Sequence, residues 1–164
     1  MEAIMRQETV GVTENLLKSA TEEFLEKGFM NASLRNISAK SGVSTNSIYT
    51  RFKDKEGLFS AIVKETADGL MEIYLDSIQK ATYSPDLNQA NHEGEEGTDF
   101  VLEYIYQHFT DFKLIFCCST GSQYEHFLDR LGEIEESYYH ELVEKYGKAG
   151  YTVDRFFIHV FCRA

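Results

Sequence analysis

The stretch GVSTNSIYTRFKDKEGLF runs from Gly42 to Phe59. Its first half is short and polar, and its second half is aromatic and basic. Gly42 reads as a tight turn, and Ser44 can cap a helix that follows it. Val43, Ile48 and Phe52 recur on one side of that helix, which must be short because Asp54 can cap the next. Upstream, Ser33 can cap an equally short helix with Leu34, Ile37 and Ala39 on its apolar side. Two short helices about a tight turn predict a helix-turn-helix, whose second helix enters a DNA major groove.

Working outward, Leu16, Leu17, Ala20, Phe24 and Leu25 fall at helical spacing. They predict a first helix over 10–27, stopped by Gly28. After Asp54 the apolar positions Leu58, Phe59, Ile62, Val63, Thr66, Leu70, Ile73, Tyr74 and Ile78 predict one long helix. From Thr82 to Gly97 the pattern stops. This segment is polar, acidic and holds the single proline, Pro85, so it reads as a flexible loop. Helical spacing resumes at Phe100, Val101, Tyr104, Ile105 and His108, continues into the apolar run LIFCC, and breaks at Gly121. Ser122 with Glu125 reads as a capping box that opens a helix through Tyr124, Phe127, Leu128, Leu131, Ile134, Tyr138, Leu142 and Tyr146. Gly147 and Gly150 end that helix. Thr152 can cap a last one, FFIHVFCRA, which stops in mid-pattern. No alternation of period two marks a strand. The expected class is all-α, with a helix-turn-helix domain over 1–53. A second helical domain is expected over 54–164, truncated at its C-terminus.

Composition narrows the function. The 164 residues are 43% hydrophobic, enough for a packed core. No run of 18 apolar residues predicts a membrane span, and the N-terminus lacks the pattern of a signal peptide. The three cysteines, Cys117, Cys118 and Cys162, make a poor disulfide framework and fit a reducing cytoplasm. The net charge of -11 argues against nucleic acid, but its distribution reverses that. Residues 1–55 carry eight Lys/Arg against seven Asp/Glu, and residues 56–164 carry eight against twenty. Arg35, Lys40, Arg51, Lys53 and Lys55 face only Asp54 within 33–55. A polyanion would approach that segment alone.

The stretch from Thr13 to Ile62 resembles the N-terminal domain of the TetR family of transcriptional repressors. The resemblance rests on Ala20, Phe24, Gly28, Phe29, Ser33, Ile37, Ala39, Gly42, Val43, Ser44, Ile48, Tyr49, Phe52, Lys55, Glu56 and Leu58. The paired SIYTRF and DKEGLF are its most specific part. It implies that Thr45, Asn46 and Ser47 approach base edges. It also implies that Tyr49 packs on the phosphate backbone and that Lys55 binds a phosphate. Arg35 and Arg51 are placed to reach base edge or backbone, and Ser33 could donate to a phosphate at a helix N-terminus. Many relatives carry lysine or glycine at the positions of Thr45 and Asn46, so the operator sequence is not legible here. The residues argue the same way without the family. Ser, Thr and Asn are poor helix formers whose short donors and acceptors fit a groove. A solvated surface is the plainer alternative.

In the second domain the resemblance implies a pocket for a small-molecule effector, apolar or aromatic, and a homodimer on a palindromic operator. Tyr104, His108, Phe112, Phe116, Tyr124 and Phe127 are the candidate lining, although an aromatic stripe is more often plain core. Glu136, His140 and Glu144 have metal-ligand spacing, as has His126 with Asp129, but such sets are usually a solvated face. No metal or cofactor is therefore expected. Cys117 and Cys118 lie in an apolar run and are expected to be buried and inert. A thiol enzyme or redox switch is the alternative, and a helical interaction module is a third. No nucleophile elbow or phosphate-cradling loop appears, so the protein is not expected to be an enzyme.

Overall fold

The computed structural model describes residues 2–147 and 153–163, with side chains from Gly11 onward except at 155, 156, 161 and 163. Among the described residues eight helices follow in order: α1 Glu2–Asn31, α2 Leu34–Ser41, α3 Thr45–Phe52, α4 Lys55–Tyr83, α5 Leu87–Gln107, α6 Phe109–Cys117, α7 Phe127–Tyr146 and α8 Arg155–Arg163. The described residues contain no strand, as the absence of period-two alternation predicts. They form two compact units, and the division does not follow the 53/54 boundary. The first unit holds residues 1–67 and 109–125, and the second holds 68–108 and 126–164.

The first unit is built on the stripe read from α1. Leu16, Ala20 and Phe24 are fully buried with Ile37 of α2, Ile48 of α3 and Leu58, Phe59 and Val63 of α4. Phe59 is the aromatic centre, edge-on to Phe24 at 5.0 Å and to Phe29 at 5.3 Å, with Tyr124 at 5.9 Å. Truncating such a ring to alanine costs about 3–5 kcal/mol. Gly28 leaves the helical region with φ 70° and ψ 162°, so the regular part of α1 stops where the glycine signal puts it. The Phe29 N–H then donates to the Cys118 carbonyl at 2.7 Å, which joins the end of α1 to the end of α6. Thr66 of α4, buried, donates to Asp111 of α6 at 2.8 Å.

In the second unit the expected loop over 82–97 is instead mostly helix. Only Ser84, Pro85 and Asp86 interrupt the chain before α5 begins at Leu87. The Asp86 carboxylate caps α5 by accepting from the Gln89 N–H at 3.0 Å. The end of α4 is closed by α7. The Lys145 ammonium donates to the Thr82 and Ser84 carbonyls at 2.7 and 2.8 Å, and the Tyr146 hydroxyl donates to Ser84 at 2.8 Å. The segment reads as a loop because α5 buries small residues, Ala90 and Gly97, rather than large ones. Gly97 is a packing residue, not a breaker. A Cβ there would lie 2.6 Å from the Ser77 Cβ, so α4 and α5 approach through it.

Two other expectations change. The Ser122–Glu125 pair does not open a helix, because α7 starts at Phe127 with no side-chain cap at His126. Ser122 accepts from the Tyr124 N–H at 3.1 Å and Glu125 from the Gly121 N–H at 3.1 Å, which folds 119–126 into a turn. The apolar run from Phe100 is likewise broken at His108, where ψ is 34°. The expected stops at Gly150 and cap at Thr152 lie outside the described residues.

Candidate nucleic-acid interface

The turn between α2 and α3 is made by Gly42, with φ 73° and ψ 4°. That left-handed conformation suits glycine, and its N–H closes α2 by donating to the Ser38 carbonyl at 3.0 Å. Asn15 of α1 donates to the Ser41 carbonyl at 2.9 Å, and the Ser41 hydroxyl accepts from the Val43 N–H at 3.2 Å. The Ser44 hydroxyl caps α3, accepting from the Ser47 N–H at 3.1 Å. Val43 and Ile48 are buried and fix which side of α3 faces the core. Asn46, Tyr49, Thr50, Arg51 and Lys53 therefore face solvent, with Arg35 of α2 also exposed. Tyr49 keeps 53% of its surface, while Ile48 beside it is buried and Phe52 half-buried.

The expected contact residues differ in how much of their chemistry remains available. The Ser47 hydroxyl shares a hydrogen bond with that of Ser44 at 2.9 Å. Arg51 donates one of its five N–H groups to Thr13 of α1 at 3.0 Å, which braces α3 against α1. Lys55 is half-buried. Its ammonium donates to the Met30 and Ala32 carbonyls at 2.9 and 3.3 Å and sits 4.7 Å above the Phe29 ring. An ammonium has three donors, and these carbonyls take two of them.

Ser33 departs further from expectation. Its hydroxyl makes no capping bond to α2, and its N–H donates to Glu23 of α1 at 3.2 Å. Glu23 is 2% exposed and also accepts from Asn36 at 3.0 Å and from Lys40 at 3.5 Å. Burial alone would raise its pKa. The bonds from Asn36, the Ser33 N–H and Lys40 outweigh that and hold it below its ordinary value of 4.5. A carboxylate therefore takes the Ser33 N–H just before α2. Lys40, itself exposed, is also held by Glu26 at 3.8 Å, and Arg35, Arg51 and Lys53 are further exposed cations of the segment. Sequence reasoning missed Glu23. Its signal was its place seven residues after Leu16, on the stripe that buries Ser19, Ala20 and Phe24.

Lys53 was read only as one of the segment's cations, with no contact of its own. It has φ 70° and ψ -51°, and the Asp54 N–H donates across it to the Phe52 carbonyl at 2.9 Å. That is a three-residue turn with a strained, non-glycine centre. It ends α3 abruptly, presents Lys53 to solvent and sets Asp54 to cap α4 through the Gly57 N–H at 2.8 Å.

Residues 16–62 match the family model described as bacterial regulatory proteins, tetR family. The chain carries a TetR-family DNA-binding domain. It is a helix-turn-helix regulator of transcription, and the matched residues run from Leu16 of α1 to Ile62 of α4.

Beyond the TetR-family domain, the six aromatic candidates for an effector site divide between the two units. Phe112 and Tyr124 are buried in the first, and the Phe116 ring lies 5.3 Å from that of Phe112. The rings of Tyr104 and His108 lie 4.5 Å apart, tilted at 44°, in the second, where Phe127 is buried at the start of α7. Of the six, Tyr104 borders a groove of about 370 Å³ along α4 and α5, beside Ile73, Asp76, Lys80, Glu96 and Phe100. Cys117 is exposed, contrary to the expectation of burial, because the last turn of α6 turns it outward. Cys118 is half-buried, and burial pushes its thiol pKa up. Glu136 meets His159 of α8 at 3.0 Å, and His126 meets Asp129 at 3.1 Å.

Proposed function

We propose that the protein is a ligand-responsive repressor that works in the cytoplasm. It binds a palindromic operator as a homodimer and is released by a small-molecule effector. The observation that carries the DNA contact is the solvent face of α3. Asn46 and Tyr49 stand clear of the core there, flanked by Arg35, Arg51 and Lys53. Asn46, with Thr45 and Ser47, would meet bases. Tyr49, Arg51 and the remaining donor of Lys55 would meet phosphates, and Arg35 base edge or backbone. Ser33 has only its hydroxyl left to offer.

Effector release is supported by the joint inside the first unit. The Cys118 carbonyl holds the Phe29 N–H, and Gln123 bonds Glu56 and Ser60 of α4 at 3.2 and 2.6 Å. A ligand that displaces 109–125 would therefore shift the C-terminal end of α1 and the start of α4, the helix that directly follows α3 in the chain. Such a ligand can act only through its differential affinity for the two arrangements. Tyr104, His108, Phe112, Phe116, Tyr124 and Phe127 are the side chains to test for it.

The test is selection of bound duplexes from a random pool, then affinity against salt for wild type and Asn46→Ala. Asn46→Ala should weaken the selected duplex by about 1–3 kcal/mol and leave scrambled DNA and the salt slope nearly unchanged. Equal loss on both duplexes would refute base reading by Asn46. No enrichment of any sequence would refute the function.

A further inference from the structure

Thr50 lies one helical turn beyond Asn46 on the solvent face of α3 and is exposed. Nothing above gives it a role. Its hydroxyl is already engaged, donating back to the Asn46 carbonyl at 2.9 Å. A threonine Cβ carries one hydroxyl and one methyl. With its proton spent on the helix backbone the hydroxyl no longer donates to a base, and the methyl is the apolar group the side chain presents. In the major groove, thymine alone among the four bases carries a methyl group, at C5, and small apolar side chains recognise it by contact.

We infer that Thr50 is a specificity-determining residue, reading a thymine through methyl–methyl contact. This rests on α3 being the reading helix. Asn46 reads by hydrogen bonds and Thr50 reads by shape, so one turn of α3 uses both kinds of base recognition. The back-bond to Asn46 also holds the Thr50 rotamer, so the methyl is presented without being ordered on binding.

The experiment uses duplexes selected by this chain and replaces each thymine in turn by uracil, which lacks only that methyl. Wild type should lose about fourfold in affinity at one thymine per half-site, the equivalent of one buried methyl. Thr50→Val keeps a methyl at that place and should discriminate as wild type does. Thr50→Ser keeps the hydroxyl and should bind the two duplexes equally. Both variants change an exposed side chain, and an unchanged unfolding midpoint verifies the fold. Discrimination that survives Thr50→Ser would overturn the inference. So would a loss caused by Thr50→Val but not by Thr50→Ser, since the hydroxyl would then be the reader. So would wild-type indifference to uracil at every thymine of a duplex it binds specifically. A chain that enriches no sequence fails one step earlier, at the reading function itself.

Discussion

Lys55 is the residue whose expected role and observed surroundings differ most usefully. As a pure phosphate contact it would be dispensable to folding. Instead its ammonium closes the end of α1, on the Met30 and Ala32 carbonyls, and rests over the Phe29 ring. Two hydrogen bonds from a charged donor are worth roughly 1.5–3 kcal/mol each when dry, but these carbonyls can turn to water, so about 1 kcal/mol each is the better figure. A half-exposed cation–ring contact adds about 0.5–1 kcal/mol. Lys55→Ala should therefore destabilise the protein by about 2–3 kcal/mol with no DNA present. Lys55→Met keeps the apolar stem over Phe29 and should cost about 2 kcal/mol. Urea unfolding followed by circular dichroism measures both. The salt dependence of binding to scrambled duplex then reads the third donor: its slope should fall by about one in either variant. Unchanged stability in Lys55→Ala would refute the capping role, and an unchanged slope would refute the phosphate contact.

Glu23→Gln should be less stable than wild type at neutral pH. The Glu23 pKa is held below 4.5 in the fold, so its stabilisation is present above 4.5 and lost as pH falls through the folded value. Urea unfolding at pH 7 and at successively lower pH should show the gap between the two proteins closing only on acidification. Gly97→Ala should destabilise by about 1–3 kcal/mol, because its Cβ would meet the Ser77 Cβ at 2.6 Å. Gly94→Ala meets nothing within 4 Å and should stabilise α5 by up to about 1 kcal/mol, both read by thermal unfolding. Lys53→Gly relieves a positive φ and should leave stability equal or about 1 kcal/mol higher, while weakening binding to all duplexes alike in a filter or anisotropy assay.

The elements that carry DNA reading were legible because their signals are local. Gly42 needs only its own φ to end α2, and Ser44 and Asp54 reach N–H groups three residues ahead. Such bonds form within one turn, whatever the rest of the chain does. The apolar stripe of α1 and α4 was legible for the same reason, since helical spacing alone decides which residues share a face. The all-α class followed from that periodicity.

What the sequence left open were the partners chosen across space. Glu23 takes the Ser33 N–H ten residues away, and Lys55 takes carbonyls 23 and 25 residues back. α5 runs through an acidic stretch with two glycines because Gly97 lets it close on Ser77, a fact that belongs to the pair of helices and to neither alone. Ser122 and Glu125 had the spacing of a capping box, yet they bond within a turn whose Tyr124 ring packs on Phe59. A charged or polar side chain on a helix surface has several possible partners of similar strength. Periodicity can assign it a face, but only the packing of the apolar core determines which of those partners comes within reach.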